Sequence, residues 1–278
     1  MKVKIAKEAG FCFGVKRAMK MAWDELELNS DIYALGPLIH NRQAVQKYED
    51  KGLITVDTID SIPNNESVII RSHGVSKDIY DRANFSNLNI IDTTCPFVKK
   101  IHNIVKEFYE EGFKIIIIGD KNHPEIIGIN GWCENSALII KSVDDLNNLN
   151  LDNNNKYCVV AQTTLNLELY NQIVDILSKE LDNIQFNNTI CSATKTRQQA
   201  AKELSVDVDC MIVIGGKHSS NTQKLVNICK EQVPTFSIET KEDLDIDKLS
   251  KFNIIGVTAG ASTPNWIIED VICFIESL

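Results

Sequence analysis

Three cysteines occupy one position of an internal repeat, and that repeat constrains the fold more than any other feature of the chain. They are Cys12 in Gly10-Phe11-Cys12-Phe13-Gly14, Cys95 in Asp92-Thr93-Thr94-Cys95-Pro96, and Cys191 in Thr189-Ile190-Cys191-Ser192-Ala193. Each precedes a helical pattern of apolar residues: Val15, Ala18, Met19, Ala22 and Trp23; Val98, Ile101, Val105 and Phe108; Ala200, Ala201 and Leu204. At one common offset beyond the cysteines stand Gly36, Gly119 and Gly215, closing apolar strands at 32–35, 115–118 and 211–214. Polar loops follow, carrying His40, then His123 and Glu125, then Ser219, Ser220 and Asn221. A second strand recurs at 68–70, 158–161 and 254–257, followed by Ser72-His73-Gly74, Gln162-Thr163-Thr164 and Ala261-Ser262-Thr263.

Short apolar strands alternating with amphipathic helices mark an α/β architecture with parallel sheets, whose ligand loops gather at the carboxyl ends of the strands. The repeat predicts three pseudo-threefold-related α/β units: 1–95, 96–191 and 192–278. The N-terminal strand at 3–6 can complete the third of them. The Asn-rich stretch at 147–155 reads as a surface loop and not as a domain boundary.

With 278 residues and 44% apolar side chains the chain can bury a sizeable core. A balance of 29 basic against 38 acidic residues, net charge -9, argues against wholesale binding of nucleic acid or an anionic membrane. No apolar run is long enough to span a bilayer, and residues 1–7 lack the apolar core of a signal peptide, so a cytoplasmic location is expected. Eight cysteines in that setting read as reduced thiols or ligands, not as a disulfide framework. No C-x-x-C pair exists, so any metal site must draw its ligands from distant segments.

Three thiolates near helix N-termini suit a 4Fe-4S cluster that keeps one iron open to act as a Lewis acid. Taken singly, each cysteine reads as a buried packing residue; the shared repeat position is what makes them ligands. Cys133, Cys158, Cys210, Cys229 and Cys273 fall outside that frame and are assigned to packing. The loops add His40, His73, His123, Glu125, Thr163, Ser219, Ser220, Asn221 and Ser262, an inventory of imidazole, hydroxyl and amide donors suited to a diphosphate. Glu125 is the one carboxylate among them, read either as a proton donor or as a capping acid in the first turn of a helix. His102 reads as a surface or packed histidine inside a helix. His218 adjoins the site without a defined role.

Taken together, Gly10–Val15, Arg71-Ser72-His73-Gly74, Asp92–Pro96, His123-Pro124-Glu125, Ala161–Thr164, Ser219-Ser220-Asn221 and Thr258–Pro264 resemble the LytB, or hydroxymethylbutenyl diphosphate reductase, family over nearly the whole chain. The resemblance implies a three-lobed trefoil around a 4Fe-4S cluster held by Cys12, Cys95 and Cys191. It implies reduction of hydroxymethylbutenyl diphosphate to isopentenyl and dimethylallyl diphosphate, the last step of the non-mevalonate isoprenoid pathway. By the same resemblance His40, His73, Ser219, Ser220, Asn221 and Ser262 surround the diphosphate. Thr163, His123 and Glu125 serve the hydroxyl end, and ferredoxin or flavodoxin supplies electrons. Ser192 departs from the tyrosine common in the family after the third cysteine. The rival readings are a cluster-dependent dehydratase or quinolinate synthase-like enzyme, a non-enzymatic cluster sensor, and a zinc protein with His123 as a fourth ligand.

Overall fold

The computed structural model describes residues 1–29 and 31–278, with the side chain of Asn148 also left aside. In chain order the elements are β1 (Lys2–Ile5), α1 (Phe13–Leu28), β2 (Ile32–Leu35), α2 (Arg42–Glu49), β3 (Leu53–Val56), β4 (Ser67–Ile70), α3 (Lys77–Phe85) and β5 (Asn89–Asp92). There follow α4 (Pro96–Glu110), β6 (Lys114–Ile118), α5 (Pro124–Asn130), β7 (Leu138–Ile140), β8 (Tyr157–Ala161), α6 (Leu167–Glu180) and β9 (Ile184–Phe186). The last stretch holds α7 (Ser192–Val206), β10 (Cys210–Ile214), α8 (Ser220–Lys230), β11 (Thr235–Ile238), α9 (Ile246–Leu249), β12 (Ile254–Ala259) and α10 (Asn265–Glu276).

The strands form three four-stranded sheets, ordered β3-β2-β4-β5, β7-β6-β8-β9 and β11-β10-β12-β1, and every pairing is parallel. The order is the same in each: an edge strand, the strand after the cysteine helix, the second strand, and the strand that leads to the next cysteine. β1 occupies that last position beside β12, in the register Lys2↔Ile254 to Ile5↔Val257.

The contacts divide the chain into two compact units, one of residues 1–19, 37–51 and 192–278, the other of 20–36 and 52–191. The first holds the sheet of β1, β10, β11 and β12 with α2 and α7 to α10; the second holds the other two sheets. Central strands are buried on both faces, as parallel sheets covered by helices require. In the second unit Ile116, Ile118 and Val159 pack with Tyr170, Ile173 and Leu177 of α6. On the opposite face Ile115, Ile117 and Val160 pack with Ile101 and Val105 of α4 and Ile126 of α5. Each such side chain contributes about 1.5–3 kcal/mol by leaving water. In the first unit Ile212, Ile214 and Val257 meet Ile267, Val271 and Ile275 of α10.

Among the five cysteines assigned to packing, four are buried and Cys273 is exposed, a correction to the sequence reading. The reason is helical phase: Ile267, Ile268, Val271 and Ile275 form the buried face of α10, and Cys273 falls on the other side. Among the described residues no helix is long and apolar enough to cross a membrane.

Candidate active site

The three repeat cysteines share one local geometry. Each is half-buried and immediately precedes a helix, α1, α4 or α7. The backbone amide of each donates to the carbonyl two residues past the end of the second strand of its sheet. Cys12 bonds Ala261 at 3.3 Å, Cys95 bonds Ser72 at 3.0 Å and Cys191 bonds Thr163 at 2.9 Å. The approach is stapled again two residues upstream in two cases, where Thr93 Oγ1 donates to the carbonyl of Ile70 at 2.6 Å and Thr189 Oγ1 to that of Ala161 at 2.5 Å. Gly10 holds the corresponding place before Cys12 and has no hydroxyl to offer.

These thiols stand at helix starts and keep partial access to solvent, so the set fits a group that takes sulfur ligands. The remaining buried cysteines do not. Burial pushes the thiols of Cys133 and Cys210 up to about 11, and those of Cys158 and Cys229 up to about 12. They stay protonated at neutral pH and serve as core residues.

In the second unit Thr163 is a hub. Its amide donates to Glu125 Oε1 and its hydroxyl to Glu125 Oε2, both at 2.6 Å, while its carbonyl accepts from the Cys191 amide. Glu125 is 2% exposed. It sits in the first turn of α5, yet its carboxylate is turned across to Thr163; the cap of α5 is His123, whose Nδ1 accepts from the Glu125 amide at 3.2 Å. A neutral His123 bonded in this way carries its proton on Nε2. Its ring lies edge-on to His73, with centroids 5.4 Å apart.

The His73 loop rests on a platform. Trp132 Nε1 donates to the carbonyl of Val75 at 3.0 Å, and the Trp132 ring stacks on His102 at 5.2 Å between centroids. His102 is buried, and burial pushes its imidazole down to about 4, with Lys99 acting in the same direction and Asp92 opposing.

In the first unit, loops carrying the remaining predicted donors come together. Gly216 approaches the His40 carbonyl so closely that a Cβ there would lie 2.1 Å from the oxygen. Ser219 caps α8, its Oγ accepting from the Thr222 amide at 3.3 Å, which leaves its own O–H to donate elsewhere. The Ser262 loop is tied to the same strand end by Thr263 Oγ1 donating to the Ile214 carbonyl at 3.0 Å. Ser219, Asn221 and Ser262 are all buried. Both side-chain polar atoms of Asn221 and the Ser262 hydroxyl have no partner among the described residues. Each such group costs about 1–3 kcal/mol unless something bonds it, so the arrangement is built for a polar ligand. A cavity of about 510 Å³ adjoins, lined by His40, Asn41, Arg42, Gly216, Lys217 and His218, which gives His218 a position.

The predicted site residues thus separate into Cys12, His40, Ser219, Ser220, Asn221 and Ser262 in one unit and His73, Cys95, His123, Glu125, Thr163 and Cys191 in the other. Sequence reasoning gave no role to Thr93, Thr189, Trp132 or Arg197. The two threonines had a visible signal, a hydroxyl residue two places before the cysteine in two repeats of three.

The model of the LytB protein family matches residues 3–276. A 4-hydroxy-3-methylbut-2-enyl diphosphate reductase of Clostridioides difficile is 66% identical over 279 residues, covering 100% of both chains. One from Alkaliphilus oremlandii is 50% identical over 283 residues, again covering 100% of both. Among solved structures, the E-1-hydroxy-2-methyl-but-2-enyl-4-diphosphate reductase of Plasmodium falciparum aligns with TM-score 0.93 at 33% identity, over 100% of this chain and 87% of that one. A second, described as the terminal enzyme of the non-mevalonate pathway, aligns with TM-score 0.73 at 38% identity, over 100% of both.

Proposed function

This chain belongs to the LytB protein family, and on that premise we propose that it reduces 4-hydroxy-3-methylbut-2-enyl diphosphate to isopentenyl and dimethylallyl diphosphate. The net reaction takes up two electrons and two protons and releases the allylic hydroxyl as water. The observation that carries the reading is the continuous link from Glu125 through Thr163 to Cys191, which sets a buried acid one residue's bonds away from a ligand cysteine.

We assign Cys12, Cys95 and Cys191 as the ligands of a 4Fe-4S cluster, supported by their shared amide bonds and helix-start positions. When bound, such a cluster supplies electrons and a Lewis-acidic iron left open by its three-cysteine set. The protein's part is to bind, orient and protonate. Glu125 has both oxygens fixed by Thr163, and in its protonated form it delivers a proton to the departing hydroxyl. Thr163 and His123 hold the hydroxyl end in place. His40, His73, Ser219, Ser220, Asn221 and Ser262 bind the diphosphate; for Asn221 and Ser262 the ligand supplies the partner that the protein does not.

Electrons come from ferredoxin or flavodoxin, and the reaction runs in the cytoplasm. The common strand order supports a division into lobes 1–95, 96–191 and 192–278, with β1 joining the third.

The test is anaerobic turnover of 4-hydroxy-3-methylbut-2-enyl diphosphate by the reconstituted holoprotein with a reduced viologen, following viologen oxidation and both products. Reductant-dependent formation of both products is expected. No turnover by a protein with a verified intact cluster would overturn the assignment.

A further inference from the structure

Two of the three ligand cysteines are approached through a threonine staple, and the third is not. Thr93 and Thr189 lock the chain two residues before Cys95 and Cys191. Before Cys12 that position is Gly10, whose amide makes a long contact of 3.5 Å to the Ala259 carbonyl of its strand. This approach also contains two left-handed residues, Glu8 at φ 63 and Gly10 at φ 93. A non-glycine residue persists in that region only where its surroundings fix it.

What fixes it is Arg197. Its side chain is 2% exposed, lies on α7 within the same unit, and is among the largest fully buried side chains of the chain. Nε donates to the Glu8 carbonyl and Nη2 to the Gly10 carbonyl, each at 2.8 Å, while Nη1 reaches back to the Ala193 carbonyl of its own helix at 3.3 Å. The guanidinium fork therefore grips the carbonyls of both left-handed residues. On the other side Gly10 is pressed against α10: a Cβ there would lie 2.9 Å from Ile268 Cδ1 and 3.0 Å from Asn265 Oδ1. A planar fork with fixed N–H directions can hold two carbonyls at set spacing, which the single ammonium of lysine cannot.

We propose that Arg197 is the positioning residue for the first cluster ligand, taking the place of the missing threonine staple by clamping Glu8 and Gly10 so that Cys12 is presented in its ligating orientation. The inference rests on the assignment of Cys12 as a ligand. Arg197 acts through the loop and touches neither substrate nor iron in this scheme.

The test compares anaerobically reconstituted wild type, Arg197→Lys and Cys12→Ser, reading iron and sulfide per chain, the electron paramagnetic resonance spectrum of the reduced cluster, and the rate of iron release to a chelator. Circular dichroism checks that each variant is folded. Arg197→Lys is expected to assemble a cluster with an altered spectrum and to release iron roughly tenfold faster or more, as loss of support behind a metal ligand typically does. A general loss of stability would lower the melting temperature without changing the spectrum of the assembled cluster. Wild-type spectrum and release rate in Arg197→Lys, with cluster loss in Cys12→Ser, would overturn the clamp and leave the ligand assignment standing. A normal cluster in Cys12→Ser would overturn the ligand assignment itself. Should Arg197→Lys not fold, Gly10→Ala strains the same loop from the α10 side; it is expected to speed iron release likewise, and a wild-type rate there would overturn the clamp.

Discussion

The hydroxyl and the amide of Thr163 each donate a 2.6 Å hydrogen bond to a different oxygen of Glu125. These are short contacts to a buried side chain, and they fix the carboxyl group in plane and in rotation. The proposed proton delivery needs both the acid and its fixation, because a carboxylic acid turned toward solvent transfers its proton elsewhere.

Thr163→Val tests the fixation directly. It removes the hydroxyl bond and keeps the amide bond and the side-chain volume, leaving Glu125 Oε2 buried without that donor. Unfolding free energy should fall by about 1–3 kcal/mol, and turnover should drop by roughly tenfold or more with the cluster retained. Urea denaturation and steady-state viologen oxidation measure the two effects.

Asn221→Ala should separate stability from function. Both polar atoms of Asn221 are buried without a partner among the described residues, so their removal should leave stability unchanged or raise it by about 1 kcal/mol. If they bind the diphosphate, KM should rise with a smaller change in kcat. A thermal melt paired with substrate titration measures both effects, and an unchanged KM would remove Asn221 from the diphosphate site.

His102 gives the protein an acid-sensitive support. Its imidazole titrates at about 4 instead of 6.5 because burial disfavours the cation. A histidine depressed in the fold contributes stability that is fully present above the unfolded value and is lost as pH falls from about 6.5 toward about 4. Between about pH 7 and about pH 5 wild type should lose about 2 kcal/mol from this source. His102→Phe, which can keep the stack on Trp132, should lose less over the same interval in urea denaturation, and equal losses in the two proteins would contradict the assignment.

The α/β class, the parallel pairing and the positions of the three cysteines were legible because the repeat imposes them three times. β3, β7 and β11 were not: they are edge strands of three or four residues, too short for a clear period against their polar surroundings. The polar loop residues were legible as a set because they recur at strand ends. The orientation of Glu125 was not, since spacing alone fits a capping acid equally well, and its partner Thr163 lies 38 positions away. Arg197 was visible only as part of the family-like stretch after Cys191, and its role was not. Its partners are backbone carbonyls 189 and 187 positions distant, and carbonyls carry no sequence signature.

The most direct test of the account is the activity of Glu125→Gln, measured anaerobically with reduced viologen on protein whose iron and sulfide content equals that of wild type. Glutamine preserves shape and can still accept from the Thr163 amide, but it cannot supply the proton. The account predicts an intact cluster and a turnover reduced by roughly 10²–10⁴-fold. Full activity with an intact cluster would contradict it, removing Glu125 as the proton donor and leaving its bonds to Thr163 a purely structural role.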